Sequence, residues 1–298
     1  MSRTIEGKPG DVAEVWIQDR GASVARLRGK IVMEDLSGVL TCISSRGGAN
    51  GPNNPVTQYI LAQAAEYLAE RLIEDANPGP DGRESVPRTL SSALGHQPFI
   101  ESVLNMSQHQ MLRRWPLATD WYMDVIHYVM RPTRFFRASD EVRVHLDDWT
   151  QRPLGEFIRL FSDTVFAVDG DPRVLRMAEA LQVLWPEYPP VREAAEAYHQ
   201  QFKEMWEPLY VETLRRYGLA LRPEFRLEDM TWALNACQTR ENWERLSGAD
   251  VSGRRAVDGV TWSLTALSSL IILAGAVTDA DGRVLSPTDL AGRMAVTQ

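Results

Sequence analysis

Between Gln97 and His127 the chain reads QPFIESVLNMSQHQMLRRWPLATDWYMDVIH, and a single corner in this run constrains how the surrounding residues can fold. Ile100, Val103 and Leu104 recur at helical spacing and give a short first helix one apolar face. Asn105 falls where that helix should stop, and asparagine tolerates the left-handed conformation better than most residues other than glycine. Ser107 is placed to cap a second helix by accepting from a backbone N–H one turn on. In that second piece Met111, Leu112 and Trp115 supply an apolar stripe, while Gln108, His109, Gln110, Arg113 and Arg114 point elsewhere. Pro116 ends it, and Thr119 and Asp120 are the expected caps of a third piece carrying Trp121, Tyr122, Val125 and Ile126 inward. A short helix, a tight corner and a second short helix with a polar, basic outer face describe a helix-turn-helix. The same arrangement also occurs in all-α domains as packing alone.

The run Ile100-x-x-x-Leu104-Asn105-Met106-Ser107, then Arg113-Arg114-Trp115-Pro116, then Asp120, resembles the DNA-binding segment of TetR-type (tetracycline-repressor-like) transcriptional regulators. Upstream, Ile60-Leu61-Ala62-Gln63-Ala64-Ala65-Glu66-Tyr67-Leu68 is similar to the first helix of that family's head. Thr57 is the expected cap of this helix, which runs to about Asp75. Downstream, the segment from Leu219 to Leu234 echoes family text preceding the penultimate long helix. The resemblance implies an all-α chain with a three-helix DNA-binding head containing the helix-turn-helix, plus a larger helical ligand-binding and dimerisation body. Residues 1–55 would be an N-terminal extension, 56–130 the head and 131–298 the body.

The function implied is that of a cytoplasmic, ligand-responsive, homodimeric repressor bound to a double-stranded DNA operator and released by a small-molecule effector. The alternative is a TetR-like helical dimer with a degenerate head, serving as a small-molecule or protein interaction module. Two departures bear on that choice. The family usually carries Tyr where this chain has Leu112 and commonly Lys where it has Ala118, both of which normally touch the DNA backbone. Phosphate contacts supply most of the affinity, so their loss predicts weakened or altered binding.

Residue chemistry gives each expected contact a reason. Ser107, Gln108, His109 and Gln110 lie at the start of the second helix, the end that meets base edges when a helix is laid in the major groove. Glutamine pairs with adenine through two hydrogen bonds, and Arg113 or Arg114 would reach guanine or phosphate. A plain solvated face is the alternative. In the body, Trp185, Tyr198, Phe202, Met205 and Trp206 fall close together, and aromatic walls suit an apolar or planar effector. A hydrophobic core accounts for the same residues.

Charge fits a local rather than general affinity for polyanions. The chain of 298 residues carries a net −8, yet from Ser107 to Arg137 five arginines face only Asp120 and Asp124. That stretch is net +3, leaving −11 to the remainder. The two cysteines, Cys42 and Cys237, have no metal-like spacing and suit a reducing compartment. Five histidines show no paired-ligand spacing, and Asp147-Asp148 reads as a solvated helix end. No G-x-S-x-G elbow or phosphate-cradling loop occurs, so no enzyme activity, cofactor or metal is expected. The longest apolar run, Leu264 to Val277, is too short to span a bilayer, and no membrane role is expected.

Other segments are read by pattern. Val12 to Ser44 mixes apolar and charged residues without a clean period, consistent with a short hairpin or an irregular helical arm. Gly47 to Pro55 is a linker by composition. Helices are expected over Ser85–Leu94, Val142–Trp149, Leu154–Ala167, from Pro172 through Leu184, Val191–Tyr217, Leu227–Leu246 and Val257–Val277. Gly218 is the expected stop of the longest of them, which carries Pro208 inside.

Overall fold

The computed structural model describes residues 6–74, 96–131, 133–167, 172–246, 248, 254–255 and 259–296, and its fold is mainly α. The chain forms two compact units, one of Met1–Arg131 with Asp171–Glu196 and the other of Pro132–Gly170 with Ala197–Gln298.

The first unit opens on an antiparallel hairpin of β1 (Val12–Gln18) and β2 (Ala25–Val32). Val15 and Ile17, two residues apart on one strand face, are buried, whereas Trp16 between them is exposed. Val15 pairs with Gly29 but Trp16 pairs with Leu27, so Arg28 is the extra residue of a β-bulge. Beyond β2, Leu36, Leu40 and Ile43 join Val15 and Ile17 in the core of this unit. Residues 1–55 are therefore part of the same unit as the expected head rather than an appendage to it.

The glycine-rich stretch before the first helix is packed too. Gly51, Pro52 and Asn54 are buried, and a Cβ on Gly51 would lie 2.7 Å from the backbone of Gly47. This stretch is consequently no free linker. Helix α1 (Pro55–Glu74) follows, with Asn54 Oδ1 accepting from the N–H of Val56 at 3.0 Å and Pro55 in the first turn. Thr57, the expected cap, instead sits inside the helix and is fully buried. Ile60, Leu61, Ala64, Ala65 and Leu68 form the inward face.

Helix α2 spans 96–104, its Phe99–Leu104 portion wound as a π-helix, and α3 (Gln108–Leu112) and α4 (Ala118–Met130) follow. Leu117 occupies the position before α4 without a side-chain capping bond, so Thr119 and Asp120 are not its caps. Two helices of the second unit, α5 (Thr133–Trp149) and α6 (Leu154–Ala167), intervene before α7 (Pro172–Leu184) and α8 (Pro189–Arg216). Met177, Ala178 and Leu181 of α7 and Val191 at the start of α8 complete the first core. Residues 171–196 thus belong with the first unit and not, as expected, with the body.

In the second unit α5 begins nine residues before the expected Val142. Helix α8 stops where Gly218 adopts φ 61°, a conformation that penalises any Cβ. Strand β3 (Leu219–Leu221), helix α9 (Leu227–Leu246), strands β4 (Arg254–Arg255) and β5 (Thr261–Trp262), helix α10 (Leu264–Ala276), strand β6 (Val277–Asp279) and helix α11 (Pro287–Ala291) follow. β3 pairs with β6 and β4 with β5, both antiparallel, so the chain is not wholly α. The final long helix is shorter than the expected 257–277 because β5 immediately precedes it. Ser263 caps α10 by accepting from Ala266, and buried Glu241 of α9 accepts from the next free amide, Thr265. The expected helix over Ser85–Leu94 lies outside the described residues.

The candidate corner and the body cavity

Asn105 adopts φ 47° and ψ 41°, and among the described residues it is the non-glycine residue with positive φ. Its N–H returns to the carbonyl of Ile100, closing α2, and the chain turns at once into α3. Ser107 stands at the cap position of α3 with extended backbone, but its side chain makes no capping bond. Helix α3 is only five residues long. Its outer face carries Gln108, His109, Leu112 and Arg113, all exposed, and its inner face carries Met111, with Trp115 buried just beyond.

Two of the six candidate DNA contacts are committed elsewhere. Arg114 is 6% exposed, and its guanidinium donates to Thr57 Oγ1 at 2.9 Å, to the carbonyls of Gln110 and Ala49 at 3.0 Å, and more distantly to Asn54 Oδ1. Every partner is a neutral oxygen, and burial together with the neighbouring Arg113 cation lowers its pKa to about 10. Arg114 is therefore a clasp joining the glycine-rich stretch, α1 and α3, and it is withdrawn from the DNA-facing set. Gln110 is half-buried and donates from Nε2 to the Gln18 carbonyl at 3.0 Å. Arg113 remains outside, its Nε donating to His109 Nε2 at 3.1 Å. Leu112, expected in the apolar stripe, is 39% exposed.

Behind the corner lies a buried carboxylate that the residue pattern did not single out. Asp124 of α4 accepts from the indole Nε1 of Trp115 at 2.8 Å and from the backbone N–H groups of Thr41 and Cys42 at 2.9 and 3.0 Å. Burial raises its pKa, and these three donors oppose the rise. Neighbouring His127 approaches the Val39 carbonyl and Thr41 Oγ1 at 3.3 and 3.4 Å.

In the second unit a cavity of about 60 Å³ lies among α6, α8, α9 and α10. Its walls are mostly apolar, with Phe157, Phe161, Tyr210 and Leu234 among them. A few polar groups face it: Thr265 has a buried hydroxyl with no hydrogen-bond partner among the described residues, and Gln238 and Ser269 also line it. Burial pushes the Tyr210 phenol far above its ordinary pKa, so it faces the cavity as a neutral hydroxyl.

The expected effector residues do not converge on this space. Trp185 packs against the core of the first unit. Phe202, Met205 and Trp206 are buried in the second core, with Tyr198 packed on it. Trp206 is nearest in role, touching two wall residues: its ring centroid lies 5.3 Å from that of Phe161 and 6.2 Å from that of Tyr210. Local pattern does not disclose the cavity walls, because they come from four helices distant in sequence, each contributing residues of an ordinary apolar face.

Asp147 and Asp148 are each engaged by arginine, Arg216 at 2.6 Å and Arg152 at 3.6 Å. Among the described residues no helix is long and apolar enough to cross a membrane. Compared with known proteins, the chain matches no family model, no curated protein and no solved structure.

Proposed function

We propose that this chain is a TetR-like, ligand-responsive DNA-binding regulator that acts as a homodimeric repressor. The observation that carries the reading is the left-handed corner at Asn105, followed by a short helix whose exposed face presents Gln108, His109 and Arg113 while Met111 anchors it beneath. Polar side chains at the start of such a helix match the donor and acceptor pattern of base edges in the major groove.

The cavity supports an effector role. At about 60 Å³ it admits only a few atoms without rearrangement, well below the roughly 300–1,000 Å³ usual for ligand pockets, so an effector of ordinary size must open it. Opening by a ligand that prefers the opened conformer is a population shift, which in a dimer would change the match of two heads to half-sites roughly 34–36 Å apart. Helix α8 offers a covalent route for that shift, since it begins in the first unit and carries the wall residue Tyr210 in the second. The dimer reading draws on exposed apolar residues of the last two long helices, Trp232 on α9 (73% exposed) and Ile271 on α10 (59%).

The test is retardation of duplex DNA from the chain's own upstream region. Binding should weaken steeply with salt, prefer that sequence over mixed sequence, and fall on Arg113→Ala. Absence of any preference at low salt would remove the operator-binding claim. A second reading, a helical dimer whose reduced head no longer reads sequence, draws on the burial of Arg114 and the exposed Leu112 in place of a phosphate-binding side chain. It takes over in that case.

A further inference from the structure

We infer that the β1–β2 hairpin is a basic wing for the corner, placing Arg20 and Arg26 against the phosphates of a DNA duplex seated on α3. This rests on the DNA-binding reading above and names a second contact surface for it. The hairpin's far end is fastened to the corner itself. The N–H of Arg20 donates to the Asn105 carbonyl at 3.1 Å, Asp19 forms a bridge with Met106, and the Gln18 carbonyl takes the Gln110 side chain at 3.0 Å. Bulged Arg28 donates to Asp19 and to the Leu104 carbonyl, locking the hairpin end onto the last residue of α2.

This fastening separates the arginines by role. Arg28 is three-quarters buried and occupied by the corner. Arg20 and Arg26 have side chains 66% and 77% exposed, on the same end of the hairpin. Among the described residues two acids meet them, Asp19 and Glu101. Asp19 is 12% exposed and already held by Arg28, with Arg26 at 3.7 Å, and Glu101 meets Arg20 at 2.9 Å in a solvent-exposed pair. An exposed pair of that kind stabilises little and is readily exchanged for a phosphate.

Location selects duplex DNA as the partner. The backbone of Arg20 is bonded to Asn105, three residues before α3 begins at Gln108, and a duplex seated on Gln108, His109 and Arg113 would carry its backbone past that turn. The cations also answer the two departures noted in the head. Leu112 and Ala118 offer no charge to the backbone, and the hairpin supplies two per chain.

The experiment measures binding to a labelled mixed-sequence duplex of about 30 base pairs, three helical turns, across a salt series. Arg20→Ala with Arg26→Ala should reduce the salt slope by about two per bound chain and weaken binding on the order of tenfold at low salt. Arg20→Lys with Arg26→Lys should keep the slope. Glu101→Gln, which frees the Arg20 cation, should hold or tighten binding. A circular dichroism melt unchanged in all variants confirms that the fold is intact. An unchanged slope in the alanine variant, with the native chain binding well, overturns the wing and leaves the helix-turn-helix reading standing. Weaker binding by Glu101→Gln shows that Arg20 only braces the corner, and also overturns it. No duplex binding by the native chain removes both.

Discussion

The indole N–H of Trp115 donates to one oxygen of Asp124 at 2.8 Å, while the other oxygen takes the backbone amides of Thr41 and Cys42. One carboxylate thus joins the end of the corner, helix α4 and the chain leading out of the hairpin. Removing it by Asp124→Ala leaves the buried indole donor and two part-buried backbone amides unpaired and should cost about 2 kcal/mol of unfolding free energy. Asp124→Asn retains an oxygen for the two amides but turns an N–H toward the indole, and should cost roughly half as much. Urea midpoints at constant slope measure both, and equal midpoints for native chain and Asp124→Ala would refute the role.

Adjacent arginines should separate cleanly. Arg114→Ala strips hydrogen bonds from Thr57 and from the carbonyls of Ala49 and Gln110, and should destabilise the chain by about 3 kcal/mol. Arg113→Ala, on the exposed face, should change stability by less than about 0.5 kcal/mol and, on the proposed DNA-binding reading, should reduce the salt slope of binding by about one. Thermal melts of the two single variants decide this. Similar losses of stability would show that the two positions are not separated into clasp and contact.

Acid response should split between two carboxyl groups whose pKa values are shifted in opposite directions. Hydrogen bonds from Arg215 and Arg216 hold Glu212 down to about 2, against an ordinary 4.5. A depressed pKa means that its contribution is complete above pH 4.5 and is lost as pH falls from there toward 2. Because Glu212 is a third exposed, that contribution is about 1 kcal/mol. Asp124 has a raised pKa, so its term favours folding most below its ordinary value of 3.8 and diminishes as pH rises through the folded value. Between pH 6 and 3, Glu212→Gln should therefore lose less stability than the native chain, and Asp124→Asn should lose more. Denaturant titrations at the two pH values provide the comparison.

The cavity makes its own prediction. Thr265→Val replaces an unpartnered buried hydroxyl with a methyl group and should stabilise the unliganded chain by about 1 kcal/mol. Leu273→Ala enlarges the same space and should destabilise by about 3 kcal/mol. An apolar probe such as benzene should then raise the melting temperature of Leu273→Ala more than that of the native chain. Equal shifts would mean that the enlarged space collapses or stays inaccessible.

Helices α6 and α9 follow the apolar periodicity of their segments, with bounds matching Leu154–Ala167 and Leu227–Leu246, because a helix burying one face writes that face at fixed spacing. Pro172 marks the first turn of α7 in the same direct way, since it lacks the amide hydrogen that position never uses. The hairpin is harder to read, for a definite reason. The bulge at Arg28 shifts the alternation partway along the ladder, so no single period of two runs through it. Arg114 looks from its spacing like the twin of Arg113. Its burial is decided by Ala49, Asn54 and Thr57, 57 to 65 positions earlier in the chain, and local pattern carries no trace of them. The glycine-rich stretch has the composition of a spacer, yet Gly51 is needed there because its chain folds back on Gly47 too closely for a side chain.

Helix α8 contains Pro208, whose ring nitrogen has no hydrogen to give to the carbonyl of Glu204. One rung of the ladder is missing two residues before Tyr210 at the cavity wall. The missing bond makes this the interior point where the helix should bend most easily, and amide exchange should be faster there than in the interior turns on either side. A molecule wedged beside Tyr210 acts where bending resistance along the rod is lowest.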